Sequence, residues 1–121
     1  AVLFPEELTE AMPSTPYSLG EATGMLRIVA EGTPLEVPVA GEIVIASEPP
    51  ATAPDIAGLL TAQPQDPGGA LNLELVGRAV PNAQIASVYE NAYVRALAGL
   101  PVRLVVEQGR TVLEALPSDP P

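Results

Sequence analysis

The titratable side chains are mostly carboxylates. Fifteen Asp and Glu stand against five basic residues, all Arg, for a formal charge of −10, and the chain has no His, Lys, Cys or Trp. Glu6 with Glu7, or Glu74 with Glu90, have the residue types for a general acid and base pair. A glycosidase sets two such carboxyls across a cleft, usually beside aromatic platforms. Three Tyr and one Phe supply few of those, and a solvated acidic surface is the simpler reading. Ser14, Ser18, Ser47, Ser87 and Ser118 lie outside any Gly-x-Ser-x-Gly turn, and no His is present to activate them. Without His and Cys the usual zinc ligands are missing. The loop Gln65-Asp66-Pro67-Gly68-Gly69 offers calcium one carboxylate, where several oxygens are needed. Gly68-Gly69 reads as preceding a strand, so it forms no phosphate cradle at a helix start. The expectation is a protein that is not an enzyme and that holds no cofactor and no metal.

Tyr89 and Tyr93 lie four apart on an expected helix, with Arg95 beside them and Arg103 at the start of the next strand. Tyr and Arg are the residue types enriched in interface hot spots. These four are the expected partner-binding residues. Two alternatives stand beside that reading: the tyrosines as core residues with hydroxyls at the rim, and Arg95 as a solvated partner of Glu90 or Glu107.

The acid excess disfavours a nucleic-acid partner, because phosphate binding needs clustered cations. An anionic membrane surface is disfavoured for the same reason. The longest apolar runs, such as Ile43-Val44-Ile45-Ala46, stop at about five or six residues, far short of the roughly 20 of a membrane helix. No membrane insertion is expected. The first residues lack a charged stretch followed by an apolar one, so no secretion signal is expected either. The chain opens on Ala1, which fits processing or excision from a longer chain. The expected place is the cytoplasm, with a virion or extracellular setting left open. The expected partner is another protein or a further copy of the chain.

These side chains need elements to carry them. Apolar residues make up 47% of the chain, enough for a core built from Val, Leu, Ile and Ala. Fifteen Pro and ten Gly mostly punctuate apolar runs. Phe4, Leu8 and Met12 share one face of a short helix over 4–12, opened by Pro5-Glu6-Glu7 and ended by Pro13 and Pro16. Residues 25–30 and 35–47 read as short strands in a meander. Pro38 puts the stretch Leu35 to Val39 at a sheet edge. Thr52-Ala53-Pro54-Asp55 opens a helix carrying Ile56, Leu59, Leu60 and Gln63. Leu71, Leu73 and Leu75 alternate with Asn72, Glu74 and Val76, which predicts a strand. Ile85, Val88, Tyr89, Ala92, Tyr93, Ala96 and Leu97 repeat at three and four, which predicts the longest amphipathic helix, from Asn82 to Gly99. Strands follow over 102–107 and 111–116, joined by Gln108-Gly109. Residues 117–121 form a polar, proline-rich tail.

Residues 18–75 carry an ordering that resembles the bacterial PATAN domain. It runs Ser18-Leu19-Gly20-Glu21, Thr23-Gly24-Met25-Leu26-Arg27-Ile28, Gly41-Glu42-Ile43-Val44-Ile45-Ala46, Ala57-Gly58-Leu59-Leu60 and Gly68-Gly69-Ala70-Leu71-Asn72-Leu73-Glu74. The family's longer leucine-rich helix before Thr-Gly is broken here by Pro13, Pro16 and Gly20. The resemblance implies a non-catalytic signalling or adaptor module that binds proteins, and it carries over no catalytic residue. The expected element order from residue 42 onward is also similar to anti-sigma-factor antagonists. In those an Asp-Ser phosphoacceptor opens the second helix, whereas Ile85-Ala86-Ser87 lacks the Asp.

These observations predict one α+β domain over 1–121, with 1–16 as an N-terminal arm or short helix. Its sheet is mostly antiparallel, of five to six short strands, with two main helices on one face. The expected role is a non-enzymatic protein-interaction or adaptor module of a bacterial signalling pathway. The alternative is a structural subunit of a virion, tail or surface assembly, with its termini as arms and the 35–39 edge pairing between chains.

Overall fold

A computed structural model describes residues 9–32, 41–50, 55–66 and 68–116. Eight strands form one curled mixed sheet: β1 Thr9–Pro13, β2 Thr15–Ser18, β3 Gly20–Ile28, β4 Ile43–Ala46, β5 Gly58–Thr61, β6 Asn82–Gln84, β7 Pro101–Glu107 and β8 Arg110–Ala115. The helices among the described residues are few and short. α1 spans Ala70–Gly77, a 3-10 turn spans Val88–Glu90, and α2 spans Ala92–Ala96.

Strand order is β1-β8-β7-β3-β4-β5-β6-β2. The run β3 to β6 is parallel throughout, and the remaining pairs are antiparallel. β1 and β2 stand at opposite ends of this order, yet Ser14 alone separates them along the chain. One N-terminal stretch thus pairs with β8 by its first half and with β6 by its second. The sheet curls until its two ends meet on that stretch.

Curling gives two cores. β4 is buried on both faces: Ile43 and Ile45 join an inner cluster with Leu26, Leu60, Leu104 and Leu113, while Val44 and Ala46 join an outer cluster with Leu59, Leu71 and Leu75. A parallel strand covered on both sides reads as a continuous apolar run, which is what Ile-Val-Ile-Ala and Gly-Leu-Leu-Thr are. The two helices serve different cores. α1 lays Leu71 and Leu75 on the outer cluster, and α2 sends Val94 into the inner one, followed by Leu97. β7 alternates in the ordinary way, with Val102, Leu104 and Val106 inward.

The expectation of a mostly antiparallel sheet with two main helices on one face is therefore overturned. Three strand pairs are parallel, and the two short helices pack against opposite clusters. Several elements change type with it. Thr9–Pro13 is strand where the helix over 4–12 was expected, and residues 4–8 lie outside the described residues. Gly58–Thr61 is strand rather than helix. A Cβ on Gly58 would come within 2.6 Å of Leu104 Cδ2, so any larger residue there would force the Leu104 side chain to shift. Ala70–Gly77 is helix rather than strand, burying Leu71, Asn72 and Leu75 and leaving Leu73 67% exposed. The long helix from Asn82 is replaced by β6, the 3-10 turn and five residues of α2. The element order expected of an anti-sigma-factor antagonist goes with it. β3 and β4 are parallel, so the meander there does not form; the 35–39 edge lies outside the described residues. β7, its Gln108-Gly109 turn and β8 form as read.

Candidate functional site

The polar chemistry inside the molecule gathers where α1 begins. β2 and β6 pair Pro16 with Ala83 and Ser18 with Asn82, so the register shifts around Tyr17. A bulge of this kind re-aims the extra side chain. The Tyr17 hydroxyl accepts the Gln65 backbone N–H at 2.9 Å. The Gln65 and Asn82 amides then pair reciprocally: Gln65 Nε2 donates to Asn82 Oδ1 at 2.8 Å, and Asn82 Nδ2 donates to Gln65 Oε1 at 2.7 Å. Asn72, on the inner face of α1, donates to Gln65 Oε1 and to the Asp66 carbonyl, and accepts from Asn82 Nδ2. Thr61, at the end of β5, accepts from Gln65 Nε2 and donates to the Gln63 carbonyl.

This network is buried, with Asn82 and Thr61 fully so. Among the described residues no buried side-chain nitrogen or oxygen lacks a partner. Amide and hydroxyl groups carry no charge near neutral pH. What the arrangement does is mechanical: it ties β2, β5, β6, the loop before α1 and α1 itself at one point. A cleft of about 190 Å³ borders it, lined by Pro49, Pro50, Asp66 and Leu71 among others. The Gln65 and Asn72 amides on that wall are already bonded within the network. Sequence reading passed over these residues. Asn72 looked like the outward side of a strand and Asn82 like a helix cap. Only a helical period places Asn72 on one face with Leu71 and Leu75.

The four expected partner-binding residues do not form one cluster of like exposure. Tyr89 and Tyr93 are half-buried against the inner core. The Tyr89 hydroxyl donates to the Val29 carbonyl just beyond β3, and the Tyr93 hydroxyl donates to the Leu113 carbonyl of β8 at 2.9 Å. Burial, with help from the Glu31 charge and against a hydrogen bond with Ser47, raises the Tyr89 phenol above its ordinary value. Arg103 projects from β7 onto Glu21 of β3 at 2.7 Å, with Glu114 of β8 at 4.0 Å. Arg27, Arg78 and Arg110 likewise pair with Glu42, Glu74 and Glu107. Arg95 is exposed on α2 and has no ion pair among the described residues. Of the expected carboxylates, Glu74 is held by Arg78, Glu90 is exposed, and Glu6 and Glu7 lie outside the described residues. No group of three or more metal-ligating side chains occurs among the described residues.

Among the described helices, the outer face of α1 carries the large exposed apolar side chains. Leu73 and Val76 are 67% and 55% exposed, beside the Glu74–Arg78 ion pair. Ala70, Leu73, Glu74, Gly77 and Arg78 line a shallow concavity of about 490 Å³ there. No helix among the described residues is long and apolar enough to cross a membrane. No known protein family's model matches the chain, and no curated protein matches it.

Proposed function

We propose that the chain is a non-enzymatic protein-interaction module, an adaptor of the bacterial signalling type, and that the outer face of α1 is part of its contact surface. The observation that carries this reading is the pair Leu73 and Val76. They stand exposed on a helix whose other face is anchored by Leu71, Asn72 and Leu75. A well-anchored element presenting adjacent large apolar side chains has the form of a docking surface. The Glu74–Arg78 pair gives it a polar rim, as interfaces have. Arg95 adds an exposed cation available to an acidic group on a partner. The resemblance of residues 18–75 to PATAN domains implies the same class of role.

A photo-reactive residue at position 73 tests this in cells. A discrete adduct with a second protein, absent when the same residue stands at exposed Gln108, supports the reading. Equal labelling at both positions overturns it. Light scattering after size exclusion, at low and physiological salt, separates it from the structural-subunit reading. A monomer or dimer supports the adaptor, and a large oligomer or filament sinks it. The subunit reading has its own observation in the N-terminal stretch that supplies both ends of the sheet.

A further inference from the structure

The ten residues Thr9–Ser18 close the curled sheet, pairing at five positions with β8 and at three with β6. We propose that this stretch is an exchangeable clasp, through which two copies of the chain form a strand-swapped dimer. The inference is independent of the α1 surface and rests on three features of the fold.

Displacing the stretch uncovers the outer edges of β8 and β6 at once. Unpaired edges are templates for another strand, and the occupant that fits both in register is the same stretch of a second copy. An exchanged pair repeats every contact of the closed monomer except those at the hinge. The hinge is as short as it can be: Leu19 alone joins β2 to β3, it is half-exposed, and Gly20 follows with φ +154°. A short hinge invites swapping, because extending into a neighbour lets it straighten.

The clasp's backbone ladder has weak points, although Tyr17 ties β2 to the buried polar network. Pro13 and Pro16 have no N–H to give the ladder. The ladder slips at Tyr17, and the Ser14 N–H reaches the Gly109 carbonyl at a long 3.4 Å. Among its described side chains, the Ser14 hydroxyl accepts from Thr111 at 2.8 Å and the Tyr17 hydroxyl accepts from Gln65. Thr111 is fully buried behind the stretch.

The absence of any cysteine makes the test direct. In the full chain, Ser14→Cys with Thr111→Cys places two thiols where the two hydroxyls now touch. Protein concentrated in mild denaturant, returned to buffer and oxidised should run as a covalent dimer that reductant dissolves. Its peptide map should join position 14 to position 111 across two copies. Closed monomers cannot give that bond between copies, since position 111 is covered by its own clasp. The map also separates it from a 14-to-14 link, for which Ser14→Cys alone is the control. A product consisting of internally bonded monomer after the same treatment overturns the proposal. Hinge length gives a second readout without cysteines. Inserting Gly-Ser-Gly after Leu19 should shift the refolded wild-type mixture toward monomer by light scattering; a mixture unchanged by the insertion also overturns it.

Discussion

At the scale of single residues, Ala79 carries the clearest local strain. α1 ends with the Val80 N–H on the Leu75 carbonyl and the Ala79 N–H on the Val76 carbonyl, and Ala79 holds φ +58°. This is the helix ending in which glycine normally fills the left-handed position. Ala79→Gly should stabilise the protein by about 0.5–1 kcal/mol, read as a higher urea midpoint at unchanged slope. The amide network sets the opposite expectation. Asn82→Ala deletes two donated bonds and one accepted bond and leaves the Gln65 amide under-satisfied in the interior. A loss of about 2–4 kcal/mol is expected, and the loss should be the same at pH 6 and pH 8, since the groups are neutral. Tyr89 supplies the alkaline dependence. Its native pKa lies above the ordinary value, burial being the first cause. The native state therefore keeps the phenolic proton to a higher pH than the unfolded chain does. The resulting stability is whole below about pH 10 and is lost as pH rises from there through the native value. Urea midpoints of wild type should fall across that window more than those of Tyr89→Phe.

At the scale of elements, the difference between α1 as helix and as strand is testable by two leucines. Leu71, Leu73 and Leu75 would share one face of a strand, and on the helix Leu73 stands apart in solvent. Leu75→Ala should cost about 2–5 kcal/mol. Leu73→Ala should cost under about 0.5 kcal/mol by the same urea titration. The alternation Leu-Asn-Leu-Glu-Leu was a faithful record of apolar spacing, but a window of eight residues fits both periods. The deciding residue was Asn72, whose buried partners, Gln65 and Asn82, come from elsewhere in the chain. β5 was illegible for a different reason. Gly58-Leu59-Leu60-Thr61 is covered on both faces, so no polar alternation marks it as strand. Likewise Ile85, Val88, Tyr89, Tyr93 and Leu97 of the expected helix do share a core, but they reach it from a strand end, a 3-10 turn and a short helix rather than from one helix, and Ala92 and Ala96 are exposed. The β7–β8 hairpin was legible because everything that specifies it is local: alternation along β7 and Gly109 at φ +81° in its turn. Of the polar network, sequence gave no outline, since its members act on one another only after β2, β5 and β6 have assembled.

At the scale of the whole molecule, charge and topology dominate. Fifteen acids face five arginines, and four of those arginines are already paired. Exposed pairs of this kind contribute little each, so the surplus acids leave a net self-repulsion that salt screens. Stability should therefore rise with sodium chloride from 10 mM to about 0.5 M, measured in urea so that the denaturant adds no ions. A fall would mean that the ion pairs outweigh the repulsion.

The shared N-terminal stretch also bears on how the chain is made. Thr9 pairs with Glu114 and Thr15 with Gln84, so the earliest described strands wait for partners made much later: β2 for β6, and β1 for β8, the last described strand. At ordinary synthesis rates the gap from β1 to β8 is about 5–20 s. During that interval its β1 half is unpaired, while the nascent chains of a crowded polysome carry the same half in the same condition. Ring closure over roughly a hundred residues is slow compared with a local hairpin. The order of synthesis thus sets a race between closing on one's own β8 and meeting a neighbour's.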